Sequence, residues 1–178
     1  MDAGVHRLQT EAEPVKAADL LAVLEEFQRE KLALRQRHAA VARLVSRYEF
    51  NNTYQYIIAR EDVHLSWLNA AIAELGATPV DLAEPVLPVR GRKESFLPLV
   101  EEDAREAAAF VDRWRARSAE ITNARHRNML RVILGETLEQ KRFFDQMVAG
   151  REDVLGRRAN GPGRSGTGDG VLPVRWLG

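Results

Sequence analysis

Between Pro14 and Gly76 the chain contains neither proline nor glycine. No helix-breaking residue interrupts this stretch, yet it is too long for one ordinary globular helix. It predicts two helices joined by a tight turn. The first carries apolar residues at Leu20, Val23, Leu24, Phe27, Leu34, Val41 and Val45, a helical period. The second carries Tyr54, Ile57, Ile58, Leu65, Leu68, Ile72 and Leu75, and stops at Gly76 with Pro79 beyond. Two places compete for the turn. Ser46-Arg47-Tyr48-Glu49 reads as a capping box, in which the Ser and Glu side chains each satisfy a free backbone N–H. Asn51-Asn52 is the alternative.

Residues 76–94 hold Pro79, Pro85, Pro88 and Gly91, and read as an extended linker. At about 3.3 Å per residue it is long enough to cross from one end of a helical bundle to the other. Ser95 or Glu94 is placed to cap a third helix through Leu99, Ala107, Phe110, Val111, Trp114 and Ile121. Thr122-Asn123 is the next break. A fourth helix runs through Leu130, Ile133, Leu134, Leu138, Phe144 and Val148 to Gly150. The expected organisation is an N-terminal segment (1–16), an all-α, antiparallel four-helix bundle of two hairpins with a long crossover (17–150), and a flexible tail (151–178). The tail is rich in Gly and Arg and ends in the apolar stretch Val171 to Gly178. Such an end has three natural docking places: its own bundle, a second copy, or a different protein.

Composition removes several classes of function. Lys plus Arg equals Asp plus Glu, so the chain lacks the basic balance of a general nucleic-acid binder. The absence of Cys rules out zinc ribbons, iron–sulfur clusters and thiol catalysis. No apolar run reaches membrane-spanning length. The N-terminus lacks the basic-then-apolar layout of a signal peptide, so a cytoplasmic protein is expected.

The two hairpins align without a gap when 76 is added to each residue number. Arg29-Glu30 falls on Arg105-Glu106, Leu34 on Phe110, Arg37 on Arg113, Ser46 on Thr122, Ile57-Ile58 on Ile133-Leu134, and Trp67-Leu68 on Phe143-Phe144. Coincidence of turn positions as well as hydrophobes points to an internal repeat. Within the second helix, Glu61 and His64 stand at positions i and i+3, which share one helix face. Folding back near Ser46 brings Glu30 to a similar height, and Glu106 matches Glu30 in the second hairpin.

The run Arg60-Glu61-Asp62-Val63-His64-Leu65-Ser66-Trp67-Leu68, followed by Glu74-Leu75-Gly76-Ala77-Thr78-Pro79, resembles the ferritin-like superfamily that includes bacterioferritins and rubrerythrins. The resemblance covers residues 17–150. It implies a four-helix bundle in which each hairpin gives one Glu and one Glu-x-x-His to a di-metal centre. Glu30, Glu61, His64 and Glu106 match that ligand pattern. The counterparts of Glu61 and His64 are Thr137 and Gln140, which depart from it. The resemblance therefore implies a partial carboxylate–histidine site for one divalent metal, iron before manganese or zinc, with residual redox activity if oxygen meets the metal. It also implies a homo-oligomer.

Other readings stay open beside this one. Lys31 either pairs with Glu30 or takes the core-facing position itself. Glu106 lies in the charged stretch from Glu101, where exposure is ordinary. His38 is either a hydrogen-bonded core histidine or a substitute ligand, and it replaces Glu30 opposite Glu61 if the turn is at Asn51. Glu136 or Glu139 turns inward if the fourth helix shifts locally. The arginines around the third turn (Arg113, Arg115, Arg117, Arg125, Arg127 and Arg131) read as a solvated bundle end. Trp67, Trp114, Phe143 and Phe144 are expected in the core. The rival function is a metal-free structural or protein-interaction module that kept the fold.

Overall fold

The computed structural model describes residues 17–87 and 96–155. These form four helices: α1 (Ala17–Ala42), α2 (Tyr48–Glu74), α3 (Leu97–Ala119) and α4 (Ala124–Val148). There is no strand among the described residues. The N-terminal segment, the proposed Ser95 or Glu94 cap and the tail from 156 fall outside them.

α1 packs on α2 and α3, and α4 packs on α3 and α2. Side-chain pairs fix the directions. Gln28 meets Asn69 and Arg35 meets Asp62, while Glu30 meets Arg113 and Arg37 meets Asp103, so α1 runs antiparallel to both neighbours. Arg60 meets Glu136 and Arg125 meets Glu74, so α2 and α4 are antiparallel too. The connection from α2 to α3 must therefore travel the length of the bundle. Gln28 and Gln36 hold its first half against α1 by donating to the Val80 and Leu82 carbonyls, at 2.8 and 2.6 Å. The four-helix bundle of two hairpins with a long crossover is thus the observed architecture.

The helix ends explain themselves locally. Gly76 and Gly150 adopt φ of 84° and 79° just beyond α2 and α4, a conformation in which a side chain is strained. Asn123 caps α4, its side chain accepting from the His126 N–H at 3.2 Å. The first turn occupies 43–47, but the capping box does not form. The N-cap is Arg47 rather than Ser46, with no side-chain hydrogen bond. Asn51, the competing break residue, instead sits in α2 and donates back to the Ala42 carbonyl at 2.7 Å, closing the end of α1. The N-caps Arg47 and Asn123 differ by 76, so the second helix of each hairpin starts in the register of the repeat.

The core is continuous with the expected stripes. Leu24, Phe27, Phe110 and Trp114 pack with Leu68, Ile72, Leu130 and Ile133 towards one end. Val41, Phe50, Tyr54, Ile57, Phe144 and Met147 pack towards the other, joined by Val154, so the packed chain continues past Gly150. Two expectations need correction. Trp67 is 37 % exposed and Leu138 is 40 % exposed; both sit at the edge of their helix's apolar face and not in the core.

Candidate functional site

Five polar residues meet between the two apolar layers: Lys31 and His38 from α1, Glu61 from α2, and Thr137 and Gln140 from α4. All are buried, with Lys31, His38, Glu61 and Thr137 completely so. The α1 pair is seven residues apart, about two helical turns on one face, and flanks Glu61 from both sides. Lys31 Nζ donates to Glu61 Oε1 at 2.7 Å. It also lies 3.3 Å from both Thr137 Oγ1 and Gln140 Oε1, reaching diagonally across the bundle. Its three protons therefore have three acceptors. His38 Nδ1 lies 2.8 Å from Glu61 Oε2, and an ionised carboxylate only accepts, so this nitrogen carries the proton.

Burial alone would raise the Glu61 carboxyl. The charges and hydrogen bonds of His38 and Lys31 overcome it and hold Glu61 at about 2. The cluster is thus an ammonium and a carboxylate that compensate each other in an apolar interior. Such a pair is tolerable only with its remaining hydrogen bonds made.

His64 lies one turn along α2 and faces a different partner. Its Nε2 is 2.9 Å from Glu136 Oε2 on α4, and Arg60 holds the same carboxylate in a fork at 2.6 to 3.0 Å. Burial pushes His64 below its ordinary value. Glu136, also opposed by burial, is held at about 2 by His64 and Arg60. Glu136 reaches this place from regular α-helix, without a local shift of α4.

A third buried group lies beyond His38. Asp103 accepts from Arg37 Nε at 2.6 Å and from the Tyr54 hydroxyl. Burial raises both Asp103 and Tyr54.

The metal-ligand set expected from the resemblance is divided by this geometry. Glu61 and His64 are both buried in the bundle, but they do not converge on one point: Glu61 meets Lys31 and His38, and His64 meets Glu136. Glu30 turns to the surface, where Arg113 binds it at 2.8 Å. Glu106 is exposed. The reason is angular. Adjacent residues on a helix lie about 100° apart, and it is Lys31, not Glu30, that falls on the inward face of α1. Its ammonium fills the space between Glu61, Thr137 and Gln140. No group of three or more His, Asp or Glu side chains suited to a metal ion is present among the described residues. The ligand set therefore does not fit a metal in this arrangement. Sequence reasoning had placed Lys31 and His38 only as alternatives. The deciding signal was the fit of Lys31 and His38, seven apart, to the inward stripe of α1.

The paired carboxylates make stability depend on pH with a definite sign. Glu61 and Glu136 both lie well below their ordinary value of 4.5 in the fold. Their contribution is complete above pH 4.5 and is lost as pH falls towards 2. His64, lowered from 6.5 by burial, acts in the same direction below pH 6.5. His126, also lowered, adds to them, and Asp103, raised by burial, works the other way. Urea midpoints at pH 7, 5 and 3 should fall in that order, most steeply in the last interval. A midpoint unchanged between pH 5 and pH 3 would contradict the pairing. Compared with protein-family models, curated proteins and solved structures, the chain matches none of them.

Proposed function

We propose that this chain is a ferritin-like bundle that has become a metal-independent scaffold, with the Lys31 ammonium serving as its central cation. One observation carries the reading: Lys31 Nζ lies within 3.3 Å of Glu61, Thr137 and Gln140 at once. A divalent ion beside that ammonium would meet like charge in a medium of low dielectric. Thr137 and Gln140, the residues that break the family's second Glu-x-x-His, supply the neutral oxygens that an ammonium needs and a di-metal centre does not. A structural or protein-interaction role follows for a core without a reactive centre. Tyr56 and Trp67, eleven residues apart and so on nearly the same face of α2, remain 47 % and 37 % exposed, and with the more exposed Tyr48 at the start of α2 they are aromatic side chains it offers to a second copy or another protein.

A second reading, one iron at a partial site, has its own support. His38 Nε2 and His64 Nδ1 are buried with no hydrogen-bond partner among the described residues. That reading requires Lys31 to withdraw. Elemental analysis after anaerobic loading with ferrous iron separates the two. The scaffold reading expects no stoichiometric metal in the wild type and a melting temperature indifferent to chelator. One iron per chain that disappears in Glu61→Ala would replace it with the metal-binding reading.

A further inference from the structure

A cavity of about 570 Å³ opens at the end of the bundle where α1 begins, α2 ends and α3 turns into α4. It lies away from the Lys31 cluster and does not depend on the role assigned there. Leu20, Val23, Leu75 and Ile121 line it with apolar surface. Its volume is within the range of sites for small organic molecules.

His126 also lines this cavity, and it is only 6 % exposed. Neither of its ring nitrogens has a hydrogen-bond partner among the described residues. A buried imidazole with two unsatisfied nitrogens is costly. Part of that cost is recovered when a bound molecule supplies one of the missing hydrogen bonds.

The surroundings restrict that molecule. Burial and the neighbouring Arg125 push His126 below its ordinary value, so the ring is neutral at pH 7 and offers one donor and one acceptor. Asp19 and Glu120 add carboxylates to the cavity lining. The guanidinium of Arg117, also in the lining, is already bound by both oxygens of Glu26, at 2.8 and 2.6 Å. Among the described residues that line the cavity, no free positive charge is left to favour an anion.

We propose that this cavity binds a small, uncharged, hydroxyl-bearing ring compound, its apolar body against Leu20, Val23, Leu75 and Ile121 and its hydroxyl hydrogen-bonded to His126. Naphthol, naphthalene and naphthoate are suitable probes, titrated against the full chain and followed by ¹⁵N chemical shifts. Naphthol should bind saturably, at least about tenfold tighter than naphthalene, with naphthoate weaker than naphthol. In His126→Leu the advantage of naphthol over naphthalene should vanish. Val23→Trp, which fills the cavity, should abolish binding of both while unfolding stays cooperative. Equal binding of naphthol and naphthalene by the wild type would overturn the proposal, and this comparison needs no variant to fold. So would tighter binding of naphthoate, survival of the naphthol preference in His126→Leu, or the absence of saturable shifts with any probe.

Discussion

Glu61→Leu is expected to destabilise the fold by about 3–5 kcal/mol, because it strands the Lys31 ammonium in an apolar interior. Thr137 and Gln140 still accept from Lys31, but neither carries the negative charge that offsets the loss of water. His38 loses its acceptor in the same step. The companion expectation is more diagnostic. Lys31→Met combined with Glu61→Leu removes both charges and keeps the volume filled, so the double variant should return to within about 2 kcal/mol of the wild type. Urea unfolding of the two single variants and the double variant closes the cycle. A cost below about 1 kcal/mol for Glu61→Leu alone would mean that the ammonium reaches water and is not the central cation.

Trp114→Ala should cost a similar amount, about 3–5 kcal/mol, by a different mechanism. Trp114 is completely buried and packs edge-on against Phe27 at 4.9 Å, which in turn meets Phe110 at 5.0 Å. The Arg117 guanidinium lies 4.1 Å from its ring and loses that contact as well. The indole N–H is buried and has no hydrogen-bond partner among the described residues, so the loss is one of packing and of the cavity left behind. In a domain of this size the melting temperature should fall by about 10 °C. Trp114→Phe should lose much less, since a ring remains between α1 and α3. Equal losses for Ala and Phe would show that the site collapses freely and that its packing is not specific.

The extent to which this was legible in the sequence follows the physics of each feature. Helix number and most helix ends were readable because they depend on local chemistry: the absence of Pro and Gly through α1 and α2, Gly76 and Gly150 at the stops, Thr122-Asn123 at the break before α4. That Glu61 and His64 share a face of α2 was readable because residues three apart on a helix do so. The identity of the central cation was not, because a rotation of one residue along α1 exchanges Glu30 for Lys31. Family resemblance placed the carboxylate inward, whereas the packing of Phe27, Lys31, Leu34 and His38 puts the lysine there. Glu106 failed with Glu30, having been inferred from it. The Ser46 cap failed because one residue of slippage at the turn put Arg47 in the N-cap position. Trp67 failed because its ring flanks His64, at 5.8 Å, from the rim of the bundle.

The offset of 76 carries one more consequence. Arg60 and Glu136 differ by that number and bind each other, so each faces its own counterpart in the other half. In two identical hairpins related by a twofold axis, that position would meet a copy of itself, and arginine facing arginine repels. The same holds at the centre. The counterpart of Lys31 is Ala107, that of His38 is Trp114, and all four are buried. A symmetric pair of hairpins would bring two ammonium groups into one core with nowhere to put the second. Joining both hairpins in one chain lets one supply the charge and the other the space and the neutral oxygens. This interior is therefore out of reach of any symmetric dimer of either half.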